Sequence, residues 1–223
     1  MASGPSLNEI VSSLSNRVGQ PFNVPLQEEL KLVVNYKRAN YTQQFLEKHP
    51  DQRRFFQQTF TVDLEEIDPG DCEIPSVGCK VLRSKCEVPM PIRSSYTLFD
   101  FVGTANWLIA YGEIKPEFNI YTKHNRFTKN HPKWAFINKK IYVFNDLAIK
   151  KLGMRGIFAD PNQVNSCCST GKCYSDDDAY PITIDILNSI VRDILNTELR
   201  SQFPQPGVVS HTENKDTDKP ENK

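Results

Sequence analysis

The sequence lacks a long apolar run, a net charge and a leader-like start. No apolar stretch approaches the roughly 18–20 residues that a membrane-spanning helix needs. Lys plus Arg and Asp plus Glu are both 27, so the formal net charge is zero, which argues against general nucleic-acid binding but leaves room for a local basic patch. Residues 1–10 have neither a basic region nor an apolar core. We therefore expect a protein that is not secreted, has no membrane partner and is used in a cytoplasm or packed into a particle assembled there.

Sequence signatures of catalysis are also missing. There is no phosphate-binding loop, no dinucleotide fingerprint and no nucleophile-elbow motif. The four histidines do not have the spacing of metal ligands: His49, His124, His131 and His211. Acidic residues 176–178 could hold a hard cation, but their place before a predicted helix favours a role at the helix start. We therefore expect a protein that is not an enzyme and carries no cofactor.

The cysteines form two groups of three: Cys72, Cys79 and Cys86, then Cys167, Cys168 and Cys173. Neither group has the closely paired spacing of a structural zinc site. Without a leader, stable disulfides are the less expected outcome, so we predict free thiols that pack as small hydrophobic side chains. A small regulatory protein stabilised by a metal remains an alternative that stoichiometric zinc would reveal.

Residues 6–49 have the pattern of a helical hairpin. Ser6 and Glu9 have capping-box spacing, and apolar residues follow at helical intervals. Gly19 is suited to end the first helix, and Pro25 to open the second. The second helix is expected to end near residue 49, because Pro50 follows.

Residues 57–160 have β-strand patterns interrupted by prolines. Phe60, Val62 and Leu64 alternate with polar residues, as in a half-buried strand. Aromatic and β-branched residues flank Asn138-Lys139, which predicts a tight hairpin over 134–144. Further short strands are expected over residues 79–83, 96–102 and 154–158.

A third helix is predicted over residues 181–202, because isoleucines and leucines there form two adjacent apolar rows. The fold class is therefore predicted to be α+β: a helical bundle, made of the N-terminal hairpin and the long C-terminal helix, with an inserted β-rich region of short antiparallel strands. We expect a single domain over residues 1–204. The polar, proline-containing residues 205–223 are expected to form a flexible tail.

The strongest charge asymmetry lies in residues 118–145, which contain no Asp or Glu. The candidate partner-binding residues are Lys123, Arg126, Lys129, Lys133, Lys139 and Lys140. Aromatic residues are interleaved with them, as in many protein interfaces, so we expect this segment to face a neighbouring subunit or an acidic partner. The alternative function is a small nucleic-acid-binding protein that uses the same segment. A solvated loop and hairpin would be the structural explanation of the same pattern.

Three stretches resemble virion proteins of tailed phages, particularly those of crAss-like phages. They are residues 138–161 with the Arg-Gly-Ile-Phe-Ala-Asp-Pro turn, residues 81–92, and residues 7–20, which are similar to the starts of head–tail connector and adaptor proteins. The resemblance implies a non-enzymatic ring protein of the portal–neck–tail assembly. It also implies a homo-oligomer of twelve copies that contacts the portal and neighbouring tail or ring proteins, with genome DNA passing through the lumen. Such a protein would belong to the neck or tail of the virion and be assembled in the host cytoplasm.

Overall fold

The computed structural model describes residues 4–67, 81–93, 97–115, 127, 131–167 and 174–202. Within these ranges the chain forms a helical layer at one end of a mixed β-sheet. The helices are α1 (Leu7–Arg17), α2 (Val24–Lys48), α3 (Val164–Cys167), α4 (Ile184–Asn196) and α5 (Glu198–Gln202), with 3₁₀ turns at Pro50–Phe55 and Pro161–Gln163. The strands are β1 (Gln58–Ile67), β2 (Val81–Ser84), β3 (Phe101–Thr104), β4 (Gly112–Glu113), β5 (Lys133–Ile137), β6 (Lys140–Phe144) and β7 (Lys151–Gly156).

The predicted N-terminal hairpin is confirmed in its caps and its bounds. The Ser6 hydroxyl accepts a hydrogen bond from the Glu9 amide, and the Glu9 carboxylate accepts one from the Ser6 amide. Gly19 has a φ of +72°, the left-handed conformation that glycine adopts without steric cost. Asn23 caps α2 by accepting from the Leu26 amide. Local hydrogen bonds therefore determine where both helices begin.

The single C-terminal helix predicted over 181–202 is divided in two. Helix α4 ends at Asn196, and α5 begins after Thr197. The Thr197 hydroxyl donates a hydrogen bond to the Asp193 carbonyl oxygen at 2.8 Å. A side chain thus binds a backbone acceptor in the last turn of α4, at the point where the helix ends. Ile186, Ile190 and Ile194 form the buried row, as the periodicity predicted.

The sheet has the strand order β3-β7-β1-β2-β6-β5-β4, and its neighbours are antiparallel except for β4 and β5. The predicted hairpin is confirmed, since Asn138 and Lys139 have φ values of 48° and 61° between β5 and β6. The strand predicted around residues 60–65 is also confirmed by β1. Strands β3 and β7 are displaced from the predicted 96–102 and 154–158, and Cys79 and Tyr96 lie outside the described residues.

The sheet curves until its two edges nearly meet. Residues 109–111, just before β4, bond to β3: the Tyr111 amide donates to the Val102 carbonyl at 2.8 Å, and the Thr104 amide donates to the Ile109 carbonyl at 3.0 Å. Strand β4 then pairs with β5 on the other side. One segment of chain thus links both ends of the strand order and forms a nearly closed barrel.

The prediction of a helical bundle with an inserted β-rich region is therefore wrong, although the α+β content is right. The barrel has a hydrophobic core of its own, which includes Phe60, Val62, Leu64, Leu82, Val102, Trp134, Ile141, Val143, Leu152 and Met154. The helical layer has a second core, in which α2 packs on both α1 and α4: it includes Leu7, Ile10, Leu14, Leu30, Val34, Ile190 and Ile194. The sheet is thus an independently packed unit and no mere elaboration of the helices.

Arg38 of α2 joins the two layers. Its side chain is fully buried, and its guanidinium donates to the carbonyl oxygens of Phe158 at 2.7 Å and Pro181 at 2.9 Å. The guanidinium also lies 5.5 Å from the centre of the Tyr180 ring. Burial lowers the pKa of Arg38 below its usual range. One side chain therefore connects α2 with the chain leaving the barrel and with the chain entering α4.

An ion pair joins the helical layer to the barrel, and a disulfide joins two segments that are distant in the sequence. Arg53, just after α2, pairs with Asp100, just before β3, at 2.7 Å. Cys86 and Cys167 form a disulfide across 81 residues, with their Cα atoms 5.1 Å apart. The prediction of free thiols is therefore wrong for this pair, because the fold brings together two cysteines that belong to different sequence groups. The other four cysteines lie outside the described residues.

Replacing Arg38 tests how much the joint between the layers contributes. Arg38→Met should lower the free energy of unfolding by about 2–4 kcal/mol, because two buried carbonyl oxygens lose a charged donor. The control is Lys37→Met, which removes partly exposed ion pairs to Asp193 and Glu198 and should cost at most about 1 kcal/mol. Urea unfolding measures both. Equal losses in the two variants would show that Arg38 does not hold the layers together.

Two glycines test the closure of the barrel. A Cβ on Gly103 would overlap with the Ile109 carbonyl oxygen, whereas a Cβ on Gly112 would have no atom within 4 Å. Gly103→Ala should therefore destabilise the protein by about 2–3 kcal/mol, and Gly112→Ala by less than about 0.5 kcal/mol. Thermal unfolding followed by circular dichroism compares them. If Gly103→Ala melts like the wild type, the strand pairing that closes the barrel is not formed.

Candidate interaction surfaces

The predicted basic surface is only partly within the described residues. Lys123, Arg126 and Lys129 lie outside them. Lys133 is 8% exposed, and its ammonium has no hydrogen-bond partner among the atoms that the structure describes. Burial lowers the pKa of Lys133. Its side chain is therefore part of the packed β5–β6 hairpin, where it offers little surface to a partner.

Lysines at the edge of the hairpin align with lysines from other strands. Asp63 of β1 pairs with Lys151 of β7, and the Lys85 amide donates to the Asp63 carbonyl. Arg83 pairs with Tyr142, so Lys85 and Lys140 face each other two residues further along. The residues beside them, such as Leu64 and Leu152, point into the barrel core, which places this row on the outer face. We call Lys85, Lys140 and Lys151 the lysine row.

In the part of the chain that the structure describes, few acids lie beside the lysine row. Asp63 lies 3.8 Å from the Lys151 ammonium, and Glu87 lies 3.6 Å from that of Lys139, which is adjacent to the row. Lys85, Lys150 and Lys151 are exposed. Among the described residues the outer barrel surface therefore carries an excess of positive charge, as the composition of the hairpin had indicated, but strands far apart in the sequence contribute to it.

A second surface is the turn between β3 and β4, residues Thr104–Ile109, which we call the pinned turn. Trp107 has a φ of 63°, a conformation that costs about 1–3 kcal/mol for a bulky residue. Several hydrogen bonds hold it: the Trp107 amide donates to the Thr104 carbonyl at 2.9 Å, and the Ile109 amide donates to the Thr104 hydroxyl at 3.1 Å. The Asn106 side-chain oxygen accepts from the Thr104 hydroxyl and from the Leu108 amide.

Side chains on the outer face of the barrel hold the Trp107 ring. Gly153 lies beneath it, since a Cβ there would be 3.5 Å from the indole and 2.9 Å from the Thr104 carbonyl oxygen. The ring centre is 5.1 Å from that of Phe101, and the Arg155 guanidinium lies 5.4 Å from it. With Trp107 held in this way, Leu108 and Ile109 are left 79% and 55% exposed.

A third surface is the outer face of α2. Leu32 and Tyr36 stand one helical turn apart and are 71% and 68% exposed. Glu28 and Glu29, one turn earlier, are also exposed. The opposite side of α2 is buried in the helical core, so this apolar pair with its acidic neighbours is available to another molecule.

Sequence reasoning missed both apolar surfaces. The pinned turn could have been predicted from Asn106, a turn-forming residue, followed by the apolar residues Trp107, Leu108 and Ile109. Three apolar residues in a row are equally typical of a strand, however, so the sequence did not indicate an exposed turn. On α2, Leu32 and Tyr36 lie off the apolar stripe that includes Leu26, Leu30 and Val34 and faces the helical core.

The described part of the chain has neither a candidate metal site nor a candidate membrane-spanning helix. No group of three or more His, Cys, Asp or Glu side chains there could hold a metal ion. None of the described helices combines the length and the apolar character needed to cross a bilayer.

Comparison with curated proteins gives no match. The model of a crAss-like phage family, described as phage tail ring protein 2, matches residues 7–219. The match spans the helical layer and the barrel, and it confirms the resemblance seen in the sequence. The chain therefore belongs to the phage tail ring protein 2 family.

Proposed function

We propose that this chain is a structural subunit of a homo-oligomeric ring in the connection between the capsid portal and the tail. The observation that carries the proposal is the tail-ring family match over residues 7–219. The exposed surfaces are consistent with it, because a subunit in a closed ring needs two different contact surfaces, one for each neighbour. The pinned turn and the outer face of α2 are two such surfaces.

In this proposal the ring has twelve copies and contacts the portal and adjacent tail or ring proteins. Genome DNA passes through its lumen, and the ring is assembled in the host cytoplasm before it becomes part of the virion. The subunit acts without catalysis or a cofactor. Residues 1–204 act as one domain, and the polar residues 205–223 follow a neighbouring subunit as an extended tail.

The basic residues contribute to contacts within this assembly. Lys139 and Lys140 act with Lys85 and Lys151 against an acidic surface of a neighbour, and Lys123, Arg126 and Lys129, from the same basic stretch of the sequence, take part in this contact. Each exposed ion pair stabilises a contact by only about 0–1 kcal/mol. In a ring, however, every contact is repeated at each subunit, so small contributions accumulate.

The alternative is nucleic-acid binding by the same lysines. The lysine row favours it, because aligned cations on the outer face of a barrel can bind phosphates without reading sequence. The two functions differ in what the lysines contact, and this difference can be measured.

The ring proposal is tested by the mass of the purified protein and by its presence in the particle. Native mass spectrometry should find a species of twelve times the 25.5 kDa chain mass. Quantitative proteomics of purified virions should find the chain in equal copy number with the portal subunit. A protein that stays monomeric and is absent from virions would contradict the proposal.

Reversing the charge of each residue in the lysine row distinguishes subunit assembly from nucleic-acid binding. The triple variant Lys85→Glu, Lys140→Glu and Lys151→Glu should remain folded, with a melting temperature only a few degrees lower because two new acids flank Asp63, but should assemble poorly. The control variant replaces three exposed basic residues of the helical layer by Glu and should assemble normally. These residues are Lys48, Arg192 and Arg200.

Nucleic-acid binding would produce the opposite result. In that case the lysine-row variant assembles like the wild type and loses DNA affinity, and its log–log salt slope falls by about 3, one unit for each lost phosphate contact.

A further inference from the structure

We infer that the pinned turn of each subunit packs against the outer face of α2 of the next subunit. This inference deepens the proposed function and rests on it. Each surface has two large apolar side chains that are exposed and adjacent: Leu108 with Ile109 on the pinned turn, and Leu32 with Tyr36 on α2. Exposed apolar clusters on a folded protein mark places where another molecule binds.

The two surfaces differ in shape in a way that suits a contact between them. The pinned turn projects from the barrel, and its conformation is held by hydrogen bonds and by the Trp107 packing against Phe101 and Arg155. It therefore loses little conformational entropy on binding. The outer face of α2 is a regular helix surface on which Leu32 and Tyr36 can flank an inserted side chain.

The charges around the two surfaces are opposite. Arg155 and Lys151 lie on β7, the strand beneath the pinned turn, and their side chains are on its outer face. Glu28 and Glu29 lie one turn before Leu32 on α2; Glu28 is paired with Lys31 at 3.0 Å, and Glu29 adds an exposed acid. Opposite charges at the rim of an apolar contact favour one orientation of docking and a faster encounter. This complementarity identifies the occupant of each surface as a second copy of the chain.

A subunit's own turn cannot occupy its own α2. Strand β3 begins beside Asp100, which pairs with Arg53 at the helical layer, and it ends at Thr104, where the pinned turn starts. The pinned turn and α2 therefore lie toward opposite ends of the barrel. Two different surfaces at opposite ends join copies head to tail, and such contacts close a ring when the rotations between copies complete a circle.

The test uses one disabling change on each surface. Leu108→Glu places an acid opposite Glu28 and Glu29, and Leu32→Lys places a base opposite Arg155 and Lys151. Because both positions are exposed, each variant should fold with a wild-type melting temperature. Each should associate at least about 30-fold more weakly than the wild type, the loss expected for a residue at the centre of an interface. Leu147→Glu, at an exposed leucine of another loop, is the control and should assemble normally.

Mixing the two variants gives the decisive measurement. The Leu32→Lys subunit keeps an intact turn, and the Leu108→Glu subunit keeps an intact α2 face. Equimolar mixing should therefore restore complexes containing both chains, which native mass spectrometry resolves when one of the two variants is uniformly labelled with ¹⁵N. If Leu108→Glu does not fold, Leu108→Ser takes its place.

Failure of the inference and failure of the proposed function give different results. A wild-type protein that forms a ring, with either variant also forming that ring alone or with a mixture that stays monomeric, would overturn the inference and leave the ring function intact. A wild-type protein that forms no ring and is absent from virions would overturn both.

Discussion

A buried guanidinium joins the two layers of the structure. Arg38 donates to carbonyl oxygens of Phe158 and Pro181, so that α2, the end of the barrel and the start of α4 meet at one side chain. Its acceptors are neutral, and the charge is stabilised by their dipoles and by the face of the Tyr180 ring. A lysine could not replace it, because the contact needs a planar group that donates in two directions.

This joint matters for a ring protein because it relates two surfaces that belong to different layers. The pinned turn belongs to the barrel and the outer face of α2 to the helical layer. In a closed ring, each subunit must present its two contact surfaces at the same angle, since errors add around the circle. Arg38 and the Arg53–Asp100 pair hold the layers in one orientation, and Ile157, just after β7, packs into the helical core. Rigidity between the layers is thus part of the proposed function.

The helical hairpin could be predicted from the sequence because its signals are local. Ser6, Glu9, Gly19 and Asn23 act on backbone groups within a few residues, and the β5–β6 turn at Asn138-Lys139 is similarly local. The barrel could not be predicted in this way. Its pairings of β1 with β7 and of β3 with β7 join residues far apart in the chain, and no local pattern specifies which strands become neighbours.

The sequence by itself determined the bounds of α1 and α2, the positive charge of the β5–β6 hairpin and the resemblance to tail proteins of crAss-like phages. The tertiary structure decided which of those charges reach the surface: Lys133 is buried, while Lys140 aligns with Lys85 and Lys151. It also decided that Cys86 and Cys167 meet and that Leu108 and Ile109 are exposed. The physical reason is that burial and alignment depend on packing between distant segments, whereas capping and helical periodicity depend on neighbours in the chain.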